Sequence, residues 1–191
     1  MILGTGLAKR ARLGAARFAL IPGNMLTAPD AFDNAAWVKT GLTVTANADA
    51  APDGQTAADL LLPGAMGNQF LVQSASFTNG SRYSLSVYAK ASGFNYLRIS
   101  FPSPPMTAGR LATVNLATGA VQKDAGLQSA TAVAVGGGWY LCTSTGAATS
   151  TTSGNVGFAV NDSAAPALGP VAGDGSSGIL LWRAQLIPVG V

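Results

Sequence analysis

The sequence contains no histidine and no glutamate; its eight acidic residues are all aspartate, and only 10% of the 191 residues are charged. Without histidine there is no Ser-His-Asp triad, no Cys-His nucleophile and no His-ligated zinc. A single cysteine, Cys142, excludes an internal disulfide and a cysteine-rich metal site, and its apolar neighbours mark it as a buried, inert thiol. No apolar run approaches the ~20 residues that a membrane-spanning helix needs. The Gly136-Gly137-Gly138 run leads into a strand pattern and lacks the lysine of a phosphate-binding loop. Eight scattered aspartates could supply the carboxylate pair of a glycan-degrading enzyme, but no spacing singles out a pair. A net charge of +3 is too small to argue for nucleic acid. These absences place binding or structural roles ahead of catalysis.

What is present divides into two parts. Residues 1–26 carry Lys9, Arg10, Arg12 and Arg17 and no acid, followed by Phe18-Ala19-Leu20-Ile21. A secretory signal would put its charges first, then a longer apolar stretch; here the charges fall in the middle and Pro22 cuts the apolar run short. Residues 7–20 fit either one helix, with Leu7, Ala11, Gly14 and Phe18 near one face, or an extended strap. An arm this short is ordered only when docked. Residues 1–26 are therefore expected to anchor the chain in a larger assembly through Lys9, Arg10, Arg12, Arg17 and Phe18, a loose basic tail being the plainer alternative.

From residue 27 to 191 the pattern is β. Residues 82–90 alternate, with Tyr83, Leu85, Val87 and Ala89 on one face and Ser84, Ser86, Tyr88 and Lys90 on the other. Residues 96–101 repeat this, with Leu97, Ile99 and Phe101 inward and Tyr96, Arg98 and Ser100 outward. Residues 110–116 and 120–123 flank a Gly119 hairpin turn, and residues 139–144, 155–160 and 179–187 continue the series. Further strands fit residues 42–46, 70–75 and 131–135, with turns such as Pro52-Asp53-Gly54 and Thr78-Asn79-Gly80 between them. Such a series of short strands without a convincing helix implies an all-β, two-sheet sandwich, with residues 102–109 and 162–178 as exposed loops.

The order of the segments carries more information than any one of them. Asn24-Met25-Leu26-Thr27 precedes Phe32-Asp33-Asn34-Ala35-Ala36-Trp37 and then Ala51-Pro52-Asp53-Gly54-Gln55-Thr56. Tyr83-Ser84-Leu85-Ser86-Val87-Tyr88-Ala89-Lys90, Val114-Asn115-Leu116-Ala117-Thr118-Gly119, Gly137-Gly138-Trp139-Tyr140 and Leu180-Leu181-Trp182-Arg183-Ala184-Gln185-Leu186 follow. This series, covering nearly all of residues 24–188, resembles modules common in bacteriophage tail and fibre proteins, and beyond them jelly-roll carbohydrate-binding modules. The resemblance implies an antiparallel jelly roll in a fibre, spike or head-decoration subunit of a virion, assembled in the host cytoplasm and homotrimeric by analogy. Its partners would be capsid or tail proteins and a host-surface glycan, with no nucleic acid and no membrane insertion. The chain departs from those modules by ending at Pro188-Val189-Gly190-Val191 instead of a longer extension, which points to a small accessory subunit.

Sugar binding needs an exposed aromatic face flanked by polar groups. Trp182 is assigned to the core beside Leu180, Ala184 and Leu186; Trp139 is assigned there too, and Trp37 to one end of the sandwich. The outward candidates are Tyr88 and Tyr96, with Lys90, Asn95 and Arg98. If strands 82–90 and 96–101 pair across residues 91–95, these five share one sheet face, which would hold a sugar or pack on a neighbouring subunit. Asp174, Asp162 and Asp30 are candidate oxygen ligands for a structural Ca²⁺, the one cofactor the resemblance suggests, although an aspartate beside glycine is also an ordinary turn former.

Overall fold

A computed structural model describes residues 22–190 apart from 66, 68, 108–109 and 166–170. Lys9, Arg10, Arg12, Arg17 and Phe18, expected to anchor the chain, lie outside the described residues. Among those described there is no helix, and twelve strands form two antiparallel sheets of six. The first sheet holds β1 (Val38–Thr40), β4 (Phe70–Phe77), β11 (Thr152–Asn161), β6 (Tyr96–Ser100), β7 (Leu111–Asn115) and β8 (Val121–Lys123), in that spatial order. The second runs β2 (Leu42–Ala50), β3 (Thr56–Pro63), β12 (Gly178–Val189), β5 (Arg82–Ser92), β10 (Trp139–Ala147) and β9 (Ser129–Gly136). The sheets pack face to face as the expected all-β sandwich.

Period-2 alternation builds the core. Leu85, Val87 and Ala89 on β5 face Leu97 and Ile99 on β6 and Val156, Phe158 and Val160 on β11, all at most 1% exposed. One end is closed as the sequence suggested: the Trp37 ring lies 5.1 Å from Phe32 and 5.9 Å from Phe158, and its Nε1 donates to the Ala28 carbonyl at 3.0 Å. Asp59 holds this end together. Its carboxylate, buried on β3, accepts from the Phe32 N–H at 2.8 Å and from the Asn47 N–H at 2.9 Å. Burial pushes its pKa up, while those two backbone donors pull it back.

Residues 24–29 clasp both sheets. Asn24 donates from Nδ2 to Ala184 O and accepts from Leu186 N, while Met25 N donates to Leu186 O, all on β12. Thr27 exchanges two hydrogen bonds with the Gln73 amide on β4: Thr27 N donates to Oε1 at 2.5 Å, and Nε2 donates to Thr27 O at 2.8 Å.

The structure differs from several of these expectations. β5 and β6 do not pair; each lies in a different sheet, because both edges of β5 are filled by β12 and β10. The chain between them is pinned instead to the start of β12, with a bridge from Gly93 to Gly178 and a bond from Phe94 N to Gly178 O. Gly93 sits at φ 101°, and a Cβ there would come within 2.4 Å of the Ser177 side chain, so the crossing requires glycine. Trp182 is buried, yet not beside Ala184 and Leu186. Arg183 at φ 49° shifts the β12 register, leaving Leu180 and Trp182 on the outer face with Tyr88 and returning Leu186 to the inner one. There Trp182, Trp139, Leu180, Ala51 and Ala58 form a second, smaller apolar cluster.

The two long segments expected as exposed loops are also anchored. Pro105 and Met106 are buried, and Pro105 O accepts from Thr149 N at 2.9 Å. Val171 is buried, and its carbonyl accepts from Gln69 Nε2 at 2.6 Å. Strand β3 carries no alternation signal because Leu60-Leu61-Leu62 is continuously apolar, and β1, at three residues, is too short to show one.

Candidate ligand-binding groove

The five predicted binding residues divide between opposite faces of the molecule. Tyr88 and Lys90 lie on the outer face of the second sheet, where the Tyr88 ring is 5.2 Å from Trp182 and Lys90 Nζ is 3.1 Å from the Asp49 carboxylate. That carboxyl is held below its ordinary range by the Ala50 N–H and then by Lys90. Tyr96 and Arg98 lie on the outer face of the first sheet, and exposed Asn95 sits in the crossing before β6. The shared face therefore does not form.

Arg98 points outward from its strand but is only 2% exposed. Its Nη2 donates to Gln69 O at 3.2 Å, and its guanidinium stacks on the Phe70 ring at 5.3 Å. Thr113 and Asn161 beside it on neighbouring strands are equally buried, and both donate to the Ala165 carbonyl. No carboxylate pairs with Arg98 among the described residues, and burial pulls its pKa down to about 10. This part of the sheet is covered by chain, which is why an outward arginine is not an accessible one.

Beyond Arg98 the same sheet face opens into a groove. Its floor is β11, where Gly157 carries no side chain and Asn155 is exposed. A Cβ at Gly157 would come within 2.1 Å of Leu71 O and 2.7 Å of Val72 Cγ1, so close strand packing demands glycine here. Two cavities meet at Asn155. One, about 430 Å³, is lined by Val38 and Thr40 of β1, Phe70 and Val72 of β4, and Ser100 and Leu111 of β6 and β7. The other, about 470 Å³, lies between Ser74, Ser153 and Gly154 and the Pro102-Ser103-Pro104 segment. Pro102 stands directly over Gly154, where a Cβ would approach its ring carbons to 2.5 Å.

No protein-family model matches the chain, and no curated protein matches it. The groove must be read from its own chemistry. Hydroxyls and an amide (Thr40, Ser74, Ser100, Ser153, Asn155) stand beside apolar surface from Val38, Phe70, Val72 and Leu111, and no charged side chain lines either cavity. Such a surface donates and accepts hydrogen bonds and covers C–H faces, but holds no group to accept or deliver a proton. In the sequence the only groove residue that reads as outward is Ser100, on residues 96–101, and such alternation is shared by any solvated sheet face.

A third cavity, about 410 Å³, lies on the second sheet between Lys90, Trp139, Val135, Pro52 and Gly137. Trp139 is only 4% exposed there, so little of its ring is open to a ligand. The calcium candidates are not brought together: among the described residues no group of three acidic, cysteine or histidine residues could hold a metal. Asp174 is used by its own turn, accepting from the backbone and hydroxyls of Ser176 and Ser177, and the Ser177 hydroxyl is the main cause of a carboxyl held well below the usual range. Asp30 pairs with Arg183 Nε at 3.5 Å, though burial more than offsets this and raises its pKa.

Proposed function

We propose that the chain is a non-catalytic adhesion module of a bacteriophage virion, anchored through residues 1–26 and holding a neutral host-surface glycan in the groove of its first sheet. The observation that carries the binding part is the uncharged groove meeting at Asn155, in which hydroxyl and amide groups alternate with apolar surface. A saccharide presents the complementary pattern of hydroxyls and C–H faces. Hydrolysis would need two carboxylates across the bond, and none lines these cavities. The virion assignment rests on the ordered resemblance to phage modules. Many copies on one particle would turn weak single-site binding into useful avidity.

Titration of the protein with host surface polysaccharide, followed by amide chemical shifts, tests the site. Asn155→Ala is expected to weaken binding about tenfold, the loss of roughly one or two hydrogen bonds, at unchanged melting temperature. Binding abolished by Tyr88→Ala or Lys90→Ala but untouched by Asn155→Ala would move the site to the opposite sheet. The exposed Val38 at the groove margin favours one second reading, in which this face cements a neighbouring capsid or tail subunit and binds no sugar. Silence across the host polysaccharides would select it, and shortened polysaccharide chains after incubation would establish an enzyme instead.

A further inference from the structure

Every sheet edge offers unpaired backbone N–H and C=O groups to any strand that meets it, and proteins guard such edges with short strands, charges, prolines or bulges. Three of the four edges here are guarded. β1 and β8 are three residues long and carry Lys39 and Lys123, and β2 is bulged twice between Thr45 and Ala50 and carries Asp49. β9 is neither short nor charged, and its single irregularity is a register shift at Val135, next to its last residue. It runs eight residues, Ser129–Gly136, with no charge and no proline, and its register with β10 is unbroken from Ser129 to Ala134. No charged residue occurs anywhere between Asp124 and Asp162. Val133 on its outer face is 56% exposed, and among the described residues no strand pairs with its free edge.

We propose that β9 joins two copies of this chain, strand to strand and antiparallel across a two-fold axis, so that the second sheet runs from one protomer into the other. A second copy fits this edge for reasons of charge and shape. A charged partner strand would find no counter-charge on β9, whereas a second β9 meets it without repulsion. Its inward residues Ala130 and Ala132 are small, so two copies come together without steric conflict between their inner faces. A register centred on Val133 sets that residue against its own copy, a β-branched pair of the kind that stabilises cross-strand contacts, with Thr131 in the same regular stretch. One eight-residue seam is small beside the ~1,600 Å² of a standard interface, so the association is weak and depends on concentration.

Sedimentation velocity on the full chain, from micromolar to near-millimolar concentration, tests this. The wild type is expected to shift from monomer to dimer as concentration rises. Val133→Lys and, separately, Thr131→Lys should stay monomeric throughout, with circular dichroism and melting temperature unchanged. Thr131 is exposed, so its variant reads the same contact if Val133→Lys fails to fold. A wild type that is monomeric over the whole range overturns the proposal, as does a dimer or trimer that persists in the folded lysine variants. Association only with an added strand peptide of unrelated sequence overturns it too, since the edge would then belong to a different partner.

Discussion

Removing the Asp59 carboxylate tests the sandwich at the point where three of its elements meet. In Asp59→Ala the Phe32 N–H keeps its buried position and loses its acceptor, at about 1–3 kcal/mol, whereas the Asn47 N–H lies near the surface and is taken up by water. Release of a desolvated charge offsets part of this, and slackening of the Phe32–Trp37 end adds to it, for an expected loss of about 2–4 kcal/mol. Asp59→Asn keeps one carbonyl oxygen for one of the two donors and should lose about half as much. Urea titrations followed by tryptophan fluorescence give both values, provided the slope is unchanged. The pH dependence is a second signature. Because the folded carboxyl has a raised pKa, its ionisation weakens the folded state; that penalty is fully present above the folded pKa and disappears below the ordinary aspartate value. Wild-type stability should therefore contain a component that falls as pH rises through the window between those two values, and both variants should lack it. An Asp59→Ala protein within about 0.5 kcal/mol of wild type at equal slope would refute the assignment of Asp59 as the clasp of this end.

Other outcomes follow from the same packing. Gly157→Ala forces a methyl against the Leu71 carbonyl and should destabilise by about 1–3 kcal/mol in denaturant titration, since neighbouring backbone gives way less readily than a side chain. Arg98→Met exchanges a buried cation without a carboxylate partner for an apolar chain of similar reach; with one hydrogen bond to Gln69 O lost, the change should stay within about 1.5 kcal/mol, and Arg98→Glu should cost more. Cys142 is fully buried with its thiol pushed up to about 12, so Ellman's reagent at neutral pH should react only as fast as the protein unfolds.

Much of the sandwich was legible because alternation is a local signal. β5 and β6 read directly, since Leu85, Val87, Leu97 and Ile99 fall on one parity and nothing non-local competes. What failed was everything decided by a neighbour distant in sequence. The crossing at Gly93 follows from contact with Ser177, and the displaced Trp182 follows from a backbone twist at Arg183 that no pattern in β12 announces. Arg98 shows the same limit for the site: parity correctly placed it on the outer face, while its covering comes from chain around Gln69 and Ala165. The groove is hard to read for a related reason, since its lining comes from strands distant in sequence and from the Pro102-Ser103-Pro104 segment on one side.

The Thr27–Gln73 amide pair also sets how the molecule would bear mechanical load. If the body is held at residue 24 and a ligand pulls on Asn155, tension need not travel through the layered interior. It passes from residue 27 into Gln73 on β4, and from β4 across one ladder to β11, where Gln73 lies opposite Val156. The bonds to β12 from Asn24 and Met25 share the strain in parallel with this route. The proposed sites of attachment and grip would thus be one strand apart, and in the second sheet β12 alone is bonded to residues 24 and 25, which leaves the distant β9 edge outside the line of force.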